Sequence, residues 1–364
     1  MKRMVDNFRM MFGVSPNEKH APMDKDAKPE LDETPLLGPD GIQKFQSLIG
    51  AMQWAITLCR FDIAHSVMSL GRFRTAPRIG HLDRLKEICG YLRKRAHAAI
   101  RFRTEIPNHE ATFGNDPVRY DWMESVYGSP TEEIDSRAPP PKGKPVRMTT
   151  FADANLMHDA VTGRSASGII DFLNQTPIDW FSKRQAQVET ATYGSEFMVA
   201  RQSVERIMDM RYTLRSFGVP LDGPAWLFGD NKSVVTSSTI PHSTLSKRWN
   251  ALSYHRVREA IAGGWVRFEH IPGTENPADI LTKPLPWYTM KTFVEPVLMW
   301  KGDTVDAPSG NANPEGSDAD PGLNESPVAE AARPARPFTS QAGDNVPALL
   351  WNNQYAALYE VDDD

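Results

Sequence analysis

The sequence predicts an α/β protein: a five-stranded mixed sheet flanked by helices, preceded by a small helical segment and followed by a disordered tail. Three observations predict it. Strand-like runs alternate with helical periodicity after the proline run Pro139, Pro140, Pro141; only helical periodicity occurs before that run; and the composition turns to Pro, Asp, Ala, Gly and Ser from about Gly302. At 364 residues, 40% hydrophobic and 24% charged, the chain has apolar side chains enough for a sizeable core.

Taken in order, residues 1–41 read as an irregular N-terminal segment with one brief amphipathic piece and then a stretch rich in Pro, Asp and Lys. Residues 42–104 carry a helical pattern. Phe45, Leu48, Ile49 and Met52 fall on one face of a first helix, and Leu82, Leu85, Ile88, Cys89 and Leu92 on one face of a later one. Residues 105–146, with scattered Pro, Gly and acids, read as a linker. The α/β region then spans 147–300. Strands are expected over 148–154, 165–173 and 177–183, close enough together for an antiparallel meander. A long helix with Phe197, Ala200, Val204, Ile207, Leu214 and Phe217 on one face stops at Gly218 and Pro220. A fourth strand ends in Asp230, a fifth covers 266–271, and a last helical turn begins at Asn276. The tail, 301–364, cannot bury enough apolar surface to order itself, so its YEVDDD run receives no catalytic weight.

Charge is unevenly placed. The formal net charge of -5 contains a tail with 12 acids and 2 arginines, whereas 44–104 holds 12 Lys and Arg against Asp62, Asp83 and Glu87. A block that basic suits either a polyanion surface or a set of solvated helix faces, and Arg93, Lys94 and Arg95 also complement a helix C-terminus. Two cysteines without metal-ligand spacing argue against a disulfide framework or a zinc site. With no apolar leader and no apolar run of roughly 18 residues, no membrane partner is expected, and the expected location is cytoplasmic or nuclear.

The chemistry is carried by acids at element ends. Asp153 lies within the first strand, where acids are depleted, Glu196 at the start of the long helix, Asp230 at the end of the fourth strand, and Asp279 in the last helical turn. They are separated by 43, 34 and 49 residues, so only a fold could gather them. Phosphodiester hydrolysis by two divalent ions about 3.5–4 Å apart requires such a set. Hard Mg²⁺ or Mn²⁺ takes carboxylate oxygens.

The run FADANLMHDAVTGRSASGIIDFLNQTPIDWFSKRQAQVETATYGSEF, 151–197, resembles the ribonuclease H domain of copia-type retrotransposon Pol polyproteins. That family places an aspartate in a strand, then R-S-x-S-G, then I-x-W-x-S-K-x-Q, then a helix glutamate after a Ser/Thr-rich stretch. FGDNKSVV, SYHRVREAI and HIPGTENPADILTKPL resemble its later signatures, and FQSLIGAMQWAITLCRFDIAHSVMSLGRF resembles the segment between the polymerase palm and the nuclease, so the match covers 43–300.

The resemblance implies a ribonuclease H-like sheet of order 3-2-1-4-5, with 42–104 as a thumb- or connection-like segment of a reverse transcriptase. It places Asp153, Glu196, Asp230 and Asp279 at the catalytic, metal-binding positions, with two Mg²⁺ or Mn²⁺ ions as cofactors. The implied activity is a metal-dependent endonuclease that cuts the RNA strand of an RNA/DNA hybrid; the alternative is a catalytically inactive nucleic-acid-binding remnant. The polymerase Y-x-D-D hairpin is absent from this chain, so no polymerase activity is expected, and the missing polymerase part is an expected partner beside the hybrid.

The sequence departs from the family at two places. A second glutamate expected two residues before Glu196 is Gly194, and the loop histidine of many cellular relatives is replaced by PGTEN. Lys183, Arg184, Lys247 and Arg248 are candidate phosphate contacts. Trp180, Trp226 and Trp265 are expected in the core, His255 and His270 receive no role, and His158 and Asp159 are expected to be solvent-exposed.

Overall fold

The sheet forms where the alternation of apolar residues places it. In the computed structural model, which describes residues 2–298 apart from 115–120, 129 and 246, the strands are β1 (Met148–Asn155), β2 (Ala166–Leu173), β3 (Thr176–Arg184), β4 (Ala225–Gly229) and β5 (Val266–His270). They lie in the order β3-β2-β1-β4-β5, as expected for a ribonuclease H-like sheet. β1 pairs antiparallel with β2 and β2 with β3, whereas β1, β4 and β5 run parallel. The β2–β3 hairpin turns through two residues, with Asn174 in the left-handed region at φ 53°. The tail expected at 301–364 lies outside the described residues.

Period-2 alternation divides the sheet into two buried faces. Met148, Ala152, Ile169, Leu227, Val266 and Phe268 point to a core closed by α6 (Thr192–Ser216), α7 (Lys232–Thr239) and α8 (Ala251–Ala262). Phe197, Ala200, Val204, Ile207 and Leu214 bury the expected stripe of α6 in that core. Phe217 is 76% exposed, because the helix ends at Ser216 and the Phe side chain leaves the stripe before Gly218 turns the chain at φ 71°.

The other face carries Phe151, Ile170, Phe172 and Phe228, and it is covered by the helical segment. Phe45, Leu48, Ile49 and Met52 of α2 (Pro39–Thr57) and Leu85 and Ile88 of α4 (Ile79–Lys94) join these sheet residues in one apolar cluster. Each such aliphatic or aromatic side chain taken from water contributes on the order of 1.5–3 kcal/mol before entropy is set against it. α3 (Ala64–Gly71) packs beside β3, and α1 (Lys2–Phe12), within the stretch read as irregular, adds Met4 and Phe8 to the same cluster. α9 (Trp287–Leu298) closes it with Phe293 and Val294.

Within 105–146, His109 and Phe113 pack on Trp226 and Phe228 of β4. After the short helix α5 (Glu110–Phe113), the Glu132 carboxylate accepts from Arg211 at 2.8 Å and from Arg215 at 2.5 Å on α6. The basic cluster at the end of α4 is engaged within the chain: Arg93 donates to the Pro16 carbonyl at 2.8 Å, and Arg95 stacks 4.1 Å over the Trp287 ring. Of the tryptophans expected in the core, Trp226 and Trp265 are buried, while Trp180 is half-buried and donates its indole N–H to the Ile56 carbonyl at 3.1 Å.

Candidate metal centre

β1 and β4 are parallel neighbours, so their carboxyl ends open on the same side of the sheet. Asp153 stands near that end of β1, two residues after Phe151 and therefore on the same face, and Asp230 follows directly on Gly229 of β4. The next residue, Asn231, caps α7 by accepting the Val234 N–H at 3.2 Å, which holds Asp230 between a strand end and a helix start. Gly273 lies against it. A Cβ there would stand 2.9 Å from Asp230 Oδ2.

Asp279 arrives on a single 3₁₀ turn, Pro277–Leu281, rather than on a longer helix. Asn276 binds this turn to the sheet: its Oδ1 accepts the Ala278 N–H at 3.1 Å, and its Nδ2 donates to the Ala152 carbonyl at 2.8 Å. The next residue, Thr282, is fully buried; its hydroxyl donates to Asp153 Oδ2, and its carbonyl accepts from Asn155 Nδ2 at 3.2 Å. Gly168 on β2, the register partner of Asp153, makes room for this arrangement. A Cβ at 168 would lie 2.6 Å from Thr282 Cγ2 and 2.8 Å from the Ala278 carbonyl, so the turn rests on bare backbone.

The outcome is a group of three carboxylates, Asp153, Asp230 and Asp279, each with an oxygen within 4.8 Å of the others. Asp153 and Asp279 are buried and Asp230 is half-buried. Glu196 reaches in from α6 on the opposite layer, buried, with its carboxylate accepting the Ala154 N–H; it lies beside the group of three rather than in it.

Like charges gathered in a desolvated place resist ionisation. Burial first, then the charges of Asp153 and Asp230, raise Glu196 well above the usual carboxylate range. Burial and Asp153 push Asp230 up to about 6, against the pull of Lys283. Burial and Asp153 push Asp279 up to about 8, again opposed by Lys283, whose ammonium lies 2.8 Å from Asp279 Oδ1. A set of hard oxygen donors that repel one another suits a hard divalent cation, which relieves the repulsion on binding. Asp153, Asp230 and Asp279 fit such an ion by donor type and by mutual distance.

The other candidate residues fare differently. Lys183 and Arg248 are exposed, and Lys247 is half-buried with its ammonium 5.9 Å from the ring of exposed Trp249. Arg184 is held 2.5 Å from Asp159. Asp159 itself corrects the sequence reading: it is buried, not exposed, because the β1–β2 turn folds onto the end of α3, where Arg72 and Arg184 converge on its carboxylate, each at 2.5 Å. Thr162 adds its hydroxyl at 2.6 Å. His158 is half-buried, edge-on to buried His65 at 4.9 Å between ring centroids. His255 Nδ1 lies 2.5 Å from the Tyr127 hydroxyl, and His270 Nε2 lies 3.1 Å from the Asp230 carbonyl.

At the place of the absent second glutamate, a Gly194 Cβ would stand 2.1 Å from Glu189 Oε2, so the carboxylate of a different residue fills that space. Thr282, Lys283, Gly168 and Asn276 received no site role from sequence reading. All four lie in quoted signatures, Gly168 closing R-S-x-S-G and Asn276, Thr282 and Lys283 within HIPGTENPADILTKPL, and that was the available signal; what each touches is set only by contacts across the fold.

No family model matches the chain. Over 256 residues it is 23% identical to a retrovirus-related Pol polyprotein from the transposon RE1 of Arabidopsis thaliana, covering 70% of this chain and 15% of that protein. Over 242 residues it is 23% identical to that of the transposon TNT 1-94 of Nicotiana tabacum, covering 66% of this chain and 15% of that protein. The chain thus spans about 15% of the length of these relatives. Among solved structures it is similar to the N-terminal RNase H domain of a Mycobacterium tuberculosis protein, at 14% identity and TM-score 0.30 over 41% of this chain and 97% of that one. It is also similar to a foamy viral protease-reverse transcriptase in complex with an RNA/DNA hybrid, at 13% identity and TM-score 0.27 over 45% of this chain and 23% of that one.

Proposed function

We propose that this chain, a homologue of the retrovirus-related Pol polyproteins of copia-type transposons with a ribonuclease H-like fold, is a metal-dependent endonuclease that cuts the RNA strand of RNA/DNA hybrids. The observation that carries the reading is the convergence of Asp153, Asp230 and Asp279, with an oxygen of each within 4.8 Å of the others, at the carboxyl ends of the parallel strands. Asp153, Asp230 and Asp279 would hold Mg²⁺ or Mn²⁺, with Glu196 beside them. Two such ions supply an activated water and charge neutralisation at the scissile phosphate.

The chain's own residues prepare that chemistry. Thr282 and Asn276 fix the 3₁₀ turn and Asp153 relative to each other, so the donor set is organised before anything binds. Glu196, whose carboxyl is pushed up by burial and by the charges of Asp153 and Asp230, presents a hydrogen-bonding group beside the triad, suited to a ribose 2′-hydroxyl, the group that distinguishes RNA from DNA. Lys183, Lys247 and Arg248 are free of the Asp159 ion pair that holds Arg184, and they remain the candidates for phosphate contacts.

Incubation of an end-labelled hybrid with Mg²⁺ or Mn²⁺ tests the proposal. RNA fragments with 5′-phosphate and 3′-hydroxyl ends are expected from the wild type and are lost in Asp153→Asn and Asp230→Asn. Equal, background-level cutting by all three proteins together with retained, salt-sensitive hybrid binding would assign the chain to the non-catalytic class instead.

A further inference from the structure

Among the described residues, Lys283 is the one cation in an ion pair with any of the four site carboxylates. Its backbone is held in place, because the preceding residue, Thr282, is buried and hydrogen-bonded to Asp153 and Asn155. Its side chain is not: Lys283 is 39% exposed while Asp279 is 10% exposed, so the ammonium bridges the rim of the cluster and solvent. From there its charge acts on Asp153 and Asp230 as well as on Asp279. A lysine head is a compact point charge on a flexible four-carbon stem, able to leave an ion pair for water without moving the backbone.

We propose that the Lys283 ammonium is a displaceable internal counter-ion of the carboxylate triad, which balances the cluster in the metal-free protein and competes with divalent cations for it. The inference rests on reading the triad as a metal site. A divalent ion and the ammonium cannot both sit against Asp279 without strong mutual repulsion, because like charges about 4 Å apart interact appreciably even near a protein surface. Lys283 therefore swings outward when the metal enters, and part of the metal's binding energy is spent on that displacement. The residue sets metal affinity and takes no part in bond breaking; it is a tuning residue of the site.

The test uses Lys283→Met, which keeps the stem and removes the charge, and Lys283→Arg, which keeps the charge, with Lys283→Gln as a second neutral variant should the methionine protein fold poorly. Mn²⁺ binding is measured by calorimetry, and thermal midpoints are taken in EDTA. The neutral variants should melt several degrees lower without metal, bind Mn²⁺ at least tenfold more tightly and so show a larger metal-induced rise in midpoint; the arginine variant should stay close to wild type. A lower midpoint with unchanged Mn²⁺ affinity identifies a merely structural lysine and overturns the proposal, as does weaker Mn²⁺ binding. If neither the wild type nor the neutral variants bind Mn²⁺, the metal-site reading itself fails and the inference with it. If the wild type binds and neutralisation leaves that binding unaltered, the inference alone fails.

Discussion

Replacing Asp230 by Asn should make the metal-free protein more stable, the reverse of what most substitutions do. Asp153 and Asp230 place carboxylate oxygens within 4.8 Å of each other. Two full charges at that separation repel by about 3 kcal/mol at the effective dielectric appropriate to a partly buried site. Lys283 opposes that repulsion and Asp230 is only half-buried, so the net gain expected for the neutral isostere at pH 8 is about 1–2 kcal/mol, roughly 2–3 °C in a chain of this size.

The pH dependence follows from the same groups. Asp230 and Asp279 titrate near 6 and 8, above their unfolded values, so the folded state holds protons that the unfolded state releases. Their contribution is fully present below the ordinary aspartate range and is lost as pH rises through about 6 and then about 8. The wild type in EDTA should therefore lose stability between pH 5 and pH 9, whereas Asp230→Asn should lose less. Differential scanning fluorimetry over that range, with and without Mn²⁺, reads both effects. A midpoint for Asp230→Asn in EDTA at pH 8 at or below that of the wild type refutes the electrostatic reasoning, as does a wild-type midpoint that rises with pH over this window.

Two further substitutions probe what holds the site. Asp159→Asn should cost about 2–4 kcal/mol in urea denaturation, because charge-assisted hydrogen bonds from Arg72 and Arg184 lose their anion at a buried position. Burial alone would raise the Asp159 carboxyl, but Thr162, Arg72 and Arg184 hold it well below the usual range, so this stability is present above pH 4 and lost on acidification; the gap between wild type and variant should close toward pH 2. Gly168→Ala should displace the 3₁₀ turn, since the new Cβ meets the Ala278 carbonyl at 2.8 Å and Thr282 Cγ2 at 2.6 Å. The expected result is a loss of about 1–3 kcal/mol together with weaker Mn²⁺ binding; unchanged metal affinity would show that the turn's seat on β2 does not set the triad.

Much of the sheet was legible because its signal is local. Alternation in 148–154 and the paired runs that follow place β1, β2 and β3 within about two residues of where they form, and the helical stripes of α2, α4 and α6 bury the side chains their periodicity selects. Phe217 misled because periodicity does not say where a helix stops. The acidic residues were legible for a second reason: each stands at an element end inside a motif, so Asp153, Asp230 and Asp279 could be named before they could be placed together.

What the sequence by itself determined, then, was the five strands, the helices with a clear apolar stripe and the carboxylates they carry, but not α1, α5 or α9. What only the tertiary structure decided was which groups meet. Thr282 reaches Asp153 across 129 residues, Arg72 reaches Asp159 across 87, and the Glu189 carboxylate takes the space that the bare Gly194 leaves. Burial of Asp159, the raised proton affinities of Asp230 and Asp279, and the pairing of Lys283 with the cluster depend on distance and desolvation, which no run of neighbouring residues encodes. Local pattern fixes periodicity and backbone preference over a few residues; charge interaction and exclusion of water are fixed only when packing brings distant segments within a few ångströms.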